Sequence, residues 1–192
     1  MIAIVKYNAG NVKSVRNALH RLGCDSMLTD DPGILRSADK VIFPGVGEAS
    51  TAMHYLRSRG LDDVLTSLHQ PFLGICLGLQ LMCAHSEEGD TRCLSIFPES
   101  VRKFPPQKIV PHMGWNSINF GSHPLFKDIE SGADMYFVHS YHAENAEDTI
   151  ATTNYITEFS SALARENYYA VQFHPEKSAE AGEQLLKNFL SL

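Results

Sequence analysis

Phe72-Leu73-Gly74-Ile75-Cys76-Leu77-Gly78-Leu79-Gln80 decides how this chain is read. An apolar run leads into a cysteine with a glycine two positions to either side, and helical-looking sequence with Leu77, Leu81 and Met82 follows. That is the layout of a nucleophile elbow, a sharp strand-to-helix turn that lifts one side chain clear of the sheet edge. The glycines answer to crowding, because a side chain at either place would meet the neighbouring strand or helix. The amides of the following helix point back at the sulfur, a field that suits an activated nucleophile. Taken alone, the segment also fits a small buried core cysteine at a strand end.

A thiol nucleophile needs a general base, and the base needs an orienting group. Tyr169-Ala170-Val171-Gln172-Phe173 reads as a buried strand; His174 ends it, and Pro175 stops the ladder because it has no N–H to give. Residues at i and i+2 of an extended chain face the same way, so His174 and Glu176 are expected side by side. The carboxylate then holds one ring nitrogen while the other faces Cys76, a Cys-His-Glu triad recognised by roles. His174 by itself reads as a satisfied strand-end histidine; Glu176 and the distant elbow reverse that. Lys40-Val41-Ile42-Phe43 reads as a further strand, followed by Pro44-Gly45-Val46-Gly47-Glu48. A glycine-rich turn there leaves backbone N–H groups of Gly45, Val46 and Gly47 accessible to an oxyanion, with the Leu77 N–H as second donor. Alone, Pro-Gly-Val-Gly is only a turn.

The first half alternates strand and helix. Strands are expected over Ile2–Tyr7, near Asp25–Thr29, over Val41–Phe43 and over Phe72–Ile75. Helices are expected where Val12, Val15, Leu19 and Leu22 recur, closed by Gly23, and over Ala49–Ser58 and Leu61–His69. A turn is expected at Asp30-Asp31-Pro32-Gly33. Such alternation predicts an α/β fold, a single domain with a central, mostly parallel sheet flanked by helices. Functional loops belong at the carboxyl ends of its strands, where the Pro44 turn, Cys76 and His174 all fall. From Leu94 to Phe173 the sequence is richer in short strands and prolines, which predicts a smaller antiparallel section within the same domain. Glu180–Leu190 closes the chain as a helix with Leu185, Leu186, Phe189 and Leu190 inward.

At 192 residues, with 44% hydrophobic residues, the chain can build a full core. A net charge of −6 and the lack of a Lys/Arg stripe argue against nucleic acid as a partner. No apolar stretch approaches the ~20 residues of a membrane span, and the N-terminal residues lack a basic leader, so a cytoplasmic protein is expected. Cys24, Cys76, Cys83 and Cys93 form no Cys-x-x-Cys pair, which fits a reducing compartment, with Cys83 in the core. His139 and His142 stand three apart in strand-like sequence and are not expected to share a face, so no metal site is read and no cofactor is expected.

Pro-Gly-x-Gly, Gly-x-Cys-x-Gly-x-Gln and His-Pro-Glu, in this order and spacing, resemble the class I (triad) glutamine amidotransferases over most of the chain. Within that family, five further stretches resemble the glutaminase subunits of imidazole glycerol phosphate synthases: Ile4–Val15, Pro44–Gly47, Pro111-His112-Met113-Gly114-Trp115-Asn116, Phe137–Tyr141 and Gln172–Ser178. One departure is Lys6-Tyr7-Asn8 where many members carry Asp-Tyr-Gly, which leaves the local turn at Asn8 open. The resemblance implies hydrolysis of the glutamine side-chain amide through Cys76, His174 and Glu176. It implies that Gln80, Glu88, His139, Ser140 and Tyr141 contact glutamine. Trp115, Tyr136 and Lys177 would face a partner, the (β/α)8-barrel cyclase that takes the ammonia in histidine biosynthesis. Glu88 reads equally as a solvated acid beside Glu87 and Asp90. The rival readings are a glutaminase serving another synthase, a non-catalytic module on the same scaffold, and a cysteine peptidase.

Overall fold

The computed structural model describes residues 1–7 and 10–192; the turn at Asn8 lies outside the described residues. In chain order the elements begin with β1 (Ile2–Val5), α1 (Val12–Arg21), β2 (Ser26–Thr29), α2 (Pro32–Ser37) and β3 (Lys40–Gly45). Next come α3 (Ala49–Ser58), α4 (Leu61–Thr66), β4 (Phe72–Cys76) and α5 (Leu77–Met82). The strands β5 (His85–Ser86), β6 (Thr91–Arg92), β7 (Ser100–Lys103), β8 (His112–Ser117) and β9 (Asn119–Phe120) follow. Then come β10 (Asp134–His139), β11 (Tyr141–Ala143), β12 (Thr149–Asn154), β13 (Glu158–Arg165), β14 (Tyr168–Val171) and α6 (Ala179–Ser191).

Strands β2, β1, β3, β4 and β14 lie side by side and parallel. From β14 the sheet continues antiparallel through β13 and β11 to β7, so the second-half strands extend the central sheet. The pair β8 and β10 stands apart as a two-stranded antiparallel sheet. Alternation along β1 explains how both faces are covered. Ile2 and Ile4 pack with Val15 and Leu19 of α1 and Leu185, Leu186 and Phe189 of α6. Ala3 and Val5 pack with Leu35, Met53, Leu56 and Leu65 of α2, α3 and α4. Side chains at successive strand positions point to opposite faces, which is why a near-continuous apolar strand needs helices on both. Each fully buried Leu, Ile or Phe contributes roughly 1.5–3 kcal/mol.

Several boundaries differ from expectation: β14 stops at Val171, short of Phe173, and β3 runs on through Pro44 to Gly45. The strand from Ile2 stops at Val5, and Tyr7 turns inward as a buried residue. The expected turn at Asp30–Gly33 is the start of α2: Pro32 takes the first helical position and Asp31 Oδ1 accepts from the Ile34 N–H at 2.9 Å. Helix α4 ends at Thr66, short of His69, because the Tyr168 hydroxyl lies 3.0 and 3.1 Å from the Leu65 and Leu68 carbonyls and donates to them.

Parallel pairing aligns the functional ends. Gly45 of β3 is in register with Cys76 of β4, and Val171 of β14 with Ile75. The Pro44 turn, the elbow and the His174 turn therefore leave the sheet at one edge.

Candidate active site

Cys76 has φ 55° and ψ −106°, a conformation that L-residues avoid and that costs on the order of 1–3 kcal/mol. The surroundings hold it there. A Cβ on Gly78 would overlap the Phe43 carbonyl oxygen of the adjacent strand, and one on Gly74 would overlap the Met82 sulfur. Strand and helix therefore close on each other only with glycine at both places. The sulfur sits 3.8 Å from the Val138 carbonyl oxygen, and Gln172 Nε2 donates toward it at 3.7 Å.

The side chains of His174 and Glu176 are completely buried. Glu176 Oε1 accepts from His174 Nδ1 at 2.8 Å. The expected pairing is present, but its geometry differs. His174 is extended, whereas Glu176 lies in a single 3-10 turn, Pro175–Lys177, sealed by the Lys177 N–H on the His174 carbonyl at 3.0 Å. Proline sets the helical φ at the first position of that turn, so a tight turn and not strand alternation brings the two side chains together. Asn11 Nδ2 lies 3.2 Å from His174 Nδ1 and donates to Glu176 Oε1. The opposite ring nitrogen, Nε2, is buried and takes no hydrogen-bond partner among the described residues, while Cys76 acts on the charge of the ring. Burial pulls the His174 pKa down, but hydrogen bonding and charge from Cys76 and Glu176 outweigh it and raise it to about 10. The site therefore favours an imidazolium between sulfur and carboxylate.

Beneath the Pro44–Gly47 turn, the Tyr7 hydroxyl donates to the Pro44 carbonyl at 2.8 Å and occupies the space a Gly45 side chain would need. The Val46 carbonyl accepts from the Gly10 N–H at 3.3 Å. A cavity of about 240 Å³ opens beside Cys76. Val46, Gly47, Leu77, Gln80, Glu88, His139, Ser140 and Tyr141 line it with Pro111 and Val138. Gly45 lies in β3 and does not line it. A larger depression of about 630 Å³ beside α1 and β2 carries none of these groups.

Glu88 does two things at once. Its Oε2 accepts from the Ala49 N–H at 2.8 Å at the start of α3, and its carboxyl faces the cavity. Burial raises its pKa. Gln80 Nε2 is committed to the Tyr141 carbonyl at 2.8 Å and to Gln172 Oε1 at 3.1 Å, so its remaining capacity toward a ligand is that of an acceptor. His139 and His142, expected on different faces, both pack against Phe104 with tilted rings, centroids 5.3 and 4.4 Å from it, because the chain turns at Ser140 between two strands. Cys83 is buried, and burial pushes its thiol well up.

Trp115, 54% exposed, meets Tyr136 edge-on at 6.0 Å, and Lys177 Nζ lies 5.8 Å above the Tyr136 ring. This group is tied to the triad. The Tyr136 carbonyl accepts from the His174 N–H at 2.8 Å, and the Tyr136 N–H donates to Ser178 Oγ at 2.9 Å. Sequence reasoning missed Asn11, Tyr7, Gln172 and Ser178 as parts of the site. Gln172 alone carried a signal, standing two residues before His174 just past the end of β14.

A buried cysteine strained onto a cavity, next to an imidazole and a carboxylate, is equipped for acyl transfer through a covalent thioester. Comparison with known proteins agrees. The family model described as "Glutamine amidotransferase class-I" matches residues 3–192. The chain is 54% identical over 194 residues to the imidazole glycerol phosphate synthase subunit HisH of Bacteroides thetaiotaomicron, covering 100% of this chain and 99% of that one. It is 45% identical to the HisH protein of Chloroflexus aurantiacus, covering 99% and 95%. Among solved structures it resembles a glutamine amidotransferase from Thermotoga maritima, with TM-score 0.67, 15% identity and coverage of 99% and 82%. At that identity the likeness concerns the fold. With the elbow, the buried triad pair and a match over nearly its whole length, the chain belongs to the class-I glutamine amidotransferase family.

Proposed function

We propose that this chain is the glutaminase subunit of an imidazole glycerol phosphate synthase in histidine biosynthesis, residues 1–192 acting as one catalytic domain. The observation that carries the chemistry is the buried Glu176–His174 pair set against Cys76 at the edge of the cavity. The Cys76 sulfur attacks the carboxamide carbon of glutamine, forming a C–S bond as the carbonyl π pair moves onto oxygen. Backbone N–H groups of Val46, Gly47 and Leu77, which line the cavity, hold that oxygen. His174 gives its proton to the nitrogen, the C–N bond breaks, and ammonia leaves a glutamyl thioester. Water, giving a proton to His174, then adds to the thioester carbon; the C–S bond breaks and glutamate departs. Glu176 fixes the ring tautomer and supports its charged form.

Gln80, Glu88, His139, Ser140 and Tyr141 bind glutamine, with the carboxylate of Glu88 as counter-ion for the α-ammonium. Trp115, Tyr136 and Lys177 form the face toward the partner, a (β/α)8-barrel cyclase that consumes the ammonia. A channel between the two suits the chemistry, because ammonia released into neutral water is protonated and loses its nucleophilicity. A cytoplasmic location follows from this role; no helix among the described residues is long and apolar enough to cross a membrane. The test is glutamate release from glutamine by the chain assembled with its cyclase. Cys76→Ala abolishes it, while retained hydrolysis in that variant would remove Cys76 from the chemistry.

A further inference from the structure

Behind the cavity wall, two histidines outside the triad meet in a buried, directional hydrogen-bond relay. Asn116 anchors it. Its Oδ1 accepts from the Ser117 N–H at 2.9 Å and its Nδ2 donates to the Asn154 carbonyl at 3.0 Å, which sets the orientation of the amide. The same Nδ2 points at His112 Nε2 at 3.2 Å, so that nitrogen accepts and the His112 proton sits on Nδ1. His112 Nδ1 donates to His139 Nε2 at 2.9 Å, which places the His139 proton on Nδ1 as well. His139 Nδ1 donates to the Tyr141 carbonyl at 2.8 Å. That carbonyl also takes Gln80 Nε2, and Gln80 leads through Gln172 to the Cys76 sulfur. His112 is clamped between Phe137 and Tyr155, with ring centroids at 4.9 and 4.1 Å.

We propose that His112 and Asn116 are positioning residues for the amidotransferase site: through His139 they hold the Ser140–Tyr141 wall where the amino-acid end of glutamine binds. The relay runs in one direction only while both rings are neutral, since a second proton on either would set N–H against N–H. The surroundings enforce this. Burial lowers the pKa of His112 to about 4 and that of His139 to about 3. Position matters as much as protonation. His112 and Asn116 sit on β8 either side of Met113 and Trp115, which are exposed, so the strand presented to solvent is the one that braces the pocket from within. The proposal rests on the reading of the cavity as the glutamine site.

The test uses the chain assembled with its cyclase and compares glutamine KM and kcat for His112→Phe, His112→Asn and wild type. Phe keeps the stacking on Phe137 and Tyr155 but has no donor; Asn loses the stacking but can offer an amide donor near Nδ1. The expected result is a KM raised about tenfold in H112F, from the loss of one buried hydrogen bond, with kcat changed less than about threefold. H112N recovers most of the wild-type KM. A role in packing alone gives the opposite order, H112F near wild type and H112N impaired, and overturns the proposal. Ring nitrogen NMR shifts of the unassembled chain at neutral pH give a readout independent of activity. Both histidines should be neutral with the proton on Nδ1, and an Nε2–H tautomer on either refutes the relay. Wild type inactive with its cyclase would count against the glutamine reading, and the tautomers would still decide the relay.

Discussion

Glu176→Gln separates what the triad carboxylate does by its shape from what it does by its charge. Glu176 Oε1 accepts from both His174 and Asn11, whereas Oε2 is buried without a partner among the described residues. A glutamine at this place therefore turns its oxygen to the two donors and leaves its amide nitrogen at the empty side. The imidazole tautomer survives; the charge that supports imidazolium does not. Exchanging a charge-assisted hydrogen bond for a neutral one costs about 1–2 kcal/mol, or roughly five- to thirtyfold in kcat. The buried amide hydrogens without partners cost a further ~1–3 kcal/mol of folding stability. Glu176→Ala removes the acceptor altogether, frees the ring and loses on the order of a thousandfold or more. The assay is steady-state glutamate release by the assembled enzyme, paired with urea unfolding and with the His174 pKa, which should fall from its raised value in both variants. Equal losses of kcat in the Gln and Ala variants would refute the argument, because orientation by an acceptor would then contribute nothing beyond charge.

Three further outcomes follow from the packing and the titrations. His112 and His139 have folded-state pKa values of about 4 and about 3 against an ordinary 6.5, so the unfolded chain binds protons that the folded chain refuses. Stability therefore falls as pH drops below the unfolded value, by about 2 kcal/mol for each at pH 5; the loss between pH 7 and pH 5 in urea unfolding should be about 2 kcal/mol smaller in His112→Phe, and equal losses would contradict it. Gly78→Ala drives a methyl into the Phe43 carbonyl and should destabilise the fold by about 1–3 kcal/mol in the same unfolding assay, with glutaminase impaired in the fraction that remains folded. Tyr7→Phe removes the hydroxyl bonded to the Pro44 carbonyl; it should cost about 1 kcal/mol of stability and lower kcat severalfold with glutamine KM unchanged, and a change confined to KM would take Tyr7 away from the oxyanion turn.

The parts of the site legible in the sequence are those where the backbone itself is constrained. Gly74 and Gly78 bracket Cys76 because strand and helix cannot otherwise close, and Pro175 starts the tight turn that carries Glu176 because its ring fixes the helical φ. Residue types of that kind announce their reason locally. The pairing of His174 with Glu176 was expected for the wrong local reason: period-2 alternation stood in for a turn that proline starts. Partners far away in the chain were invisible. Asn11 reaches the triad across 163 residues to His174, and nothing in a Gly-Asn pair before a helix says where its amide goes. Tyr7 looked like the end of a strand, and only the fold puts its hydroxyl under Pro44. The end of α4 was misjudged for the same reason, since a tyrosine on β14 takes the carbonyls that another helical turn would need. His139 and His142 were kept apart by a strand pattern that breaks at Ser140. The parallel sheet, by contrast, is what alternation leads one to expect, and the carboxyl ends of its strands carry all three functional turns.

The most direct test is glutamate release from glutamine by the purified chain, alone and with the cyclase barrel and its ribonucleotide ligand. With the Val46 carbonyl tied to the Gly10 N–H, we propose that the Gly45–Gly47 backbone is fully set only when the partner and its ligand bind. The expected result is low activity alone and strong stimulation only when both are present. Full turnover by the isolated chain, unaffected by the barrel, would contradict it.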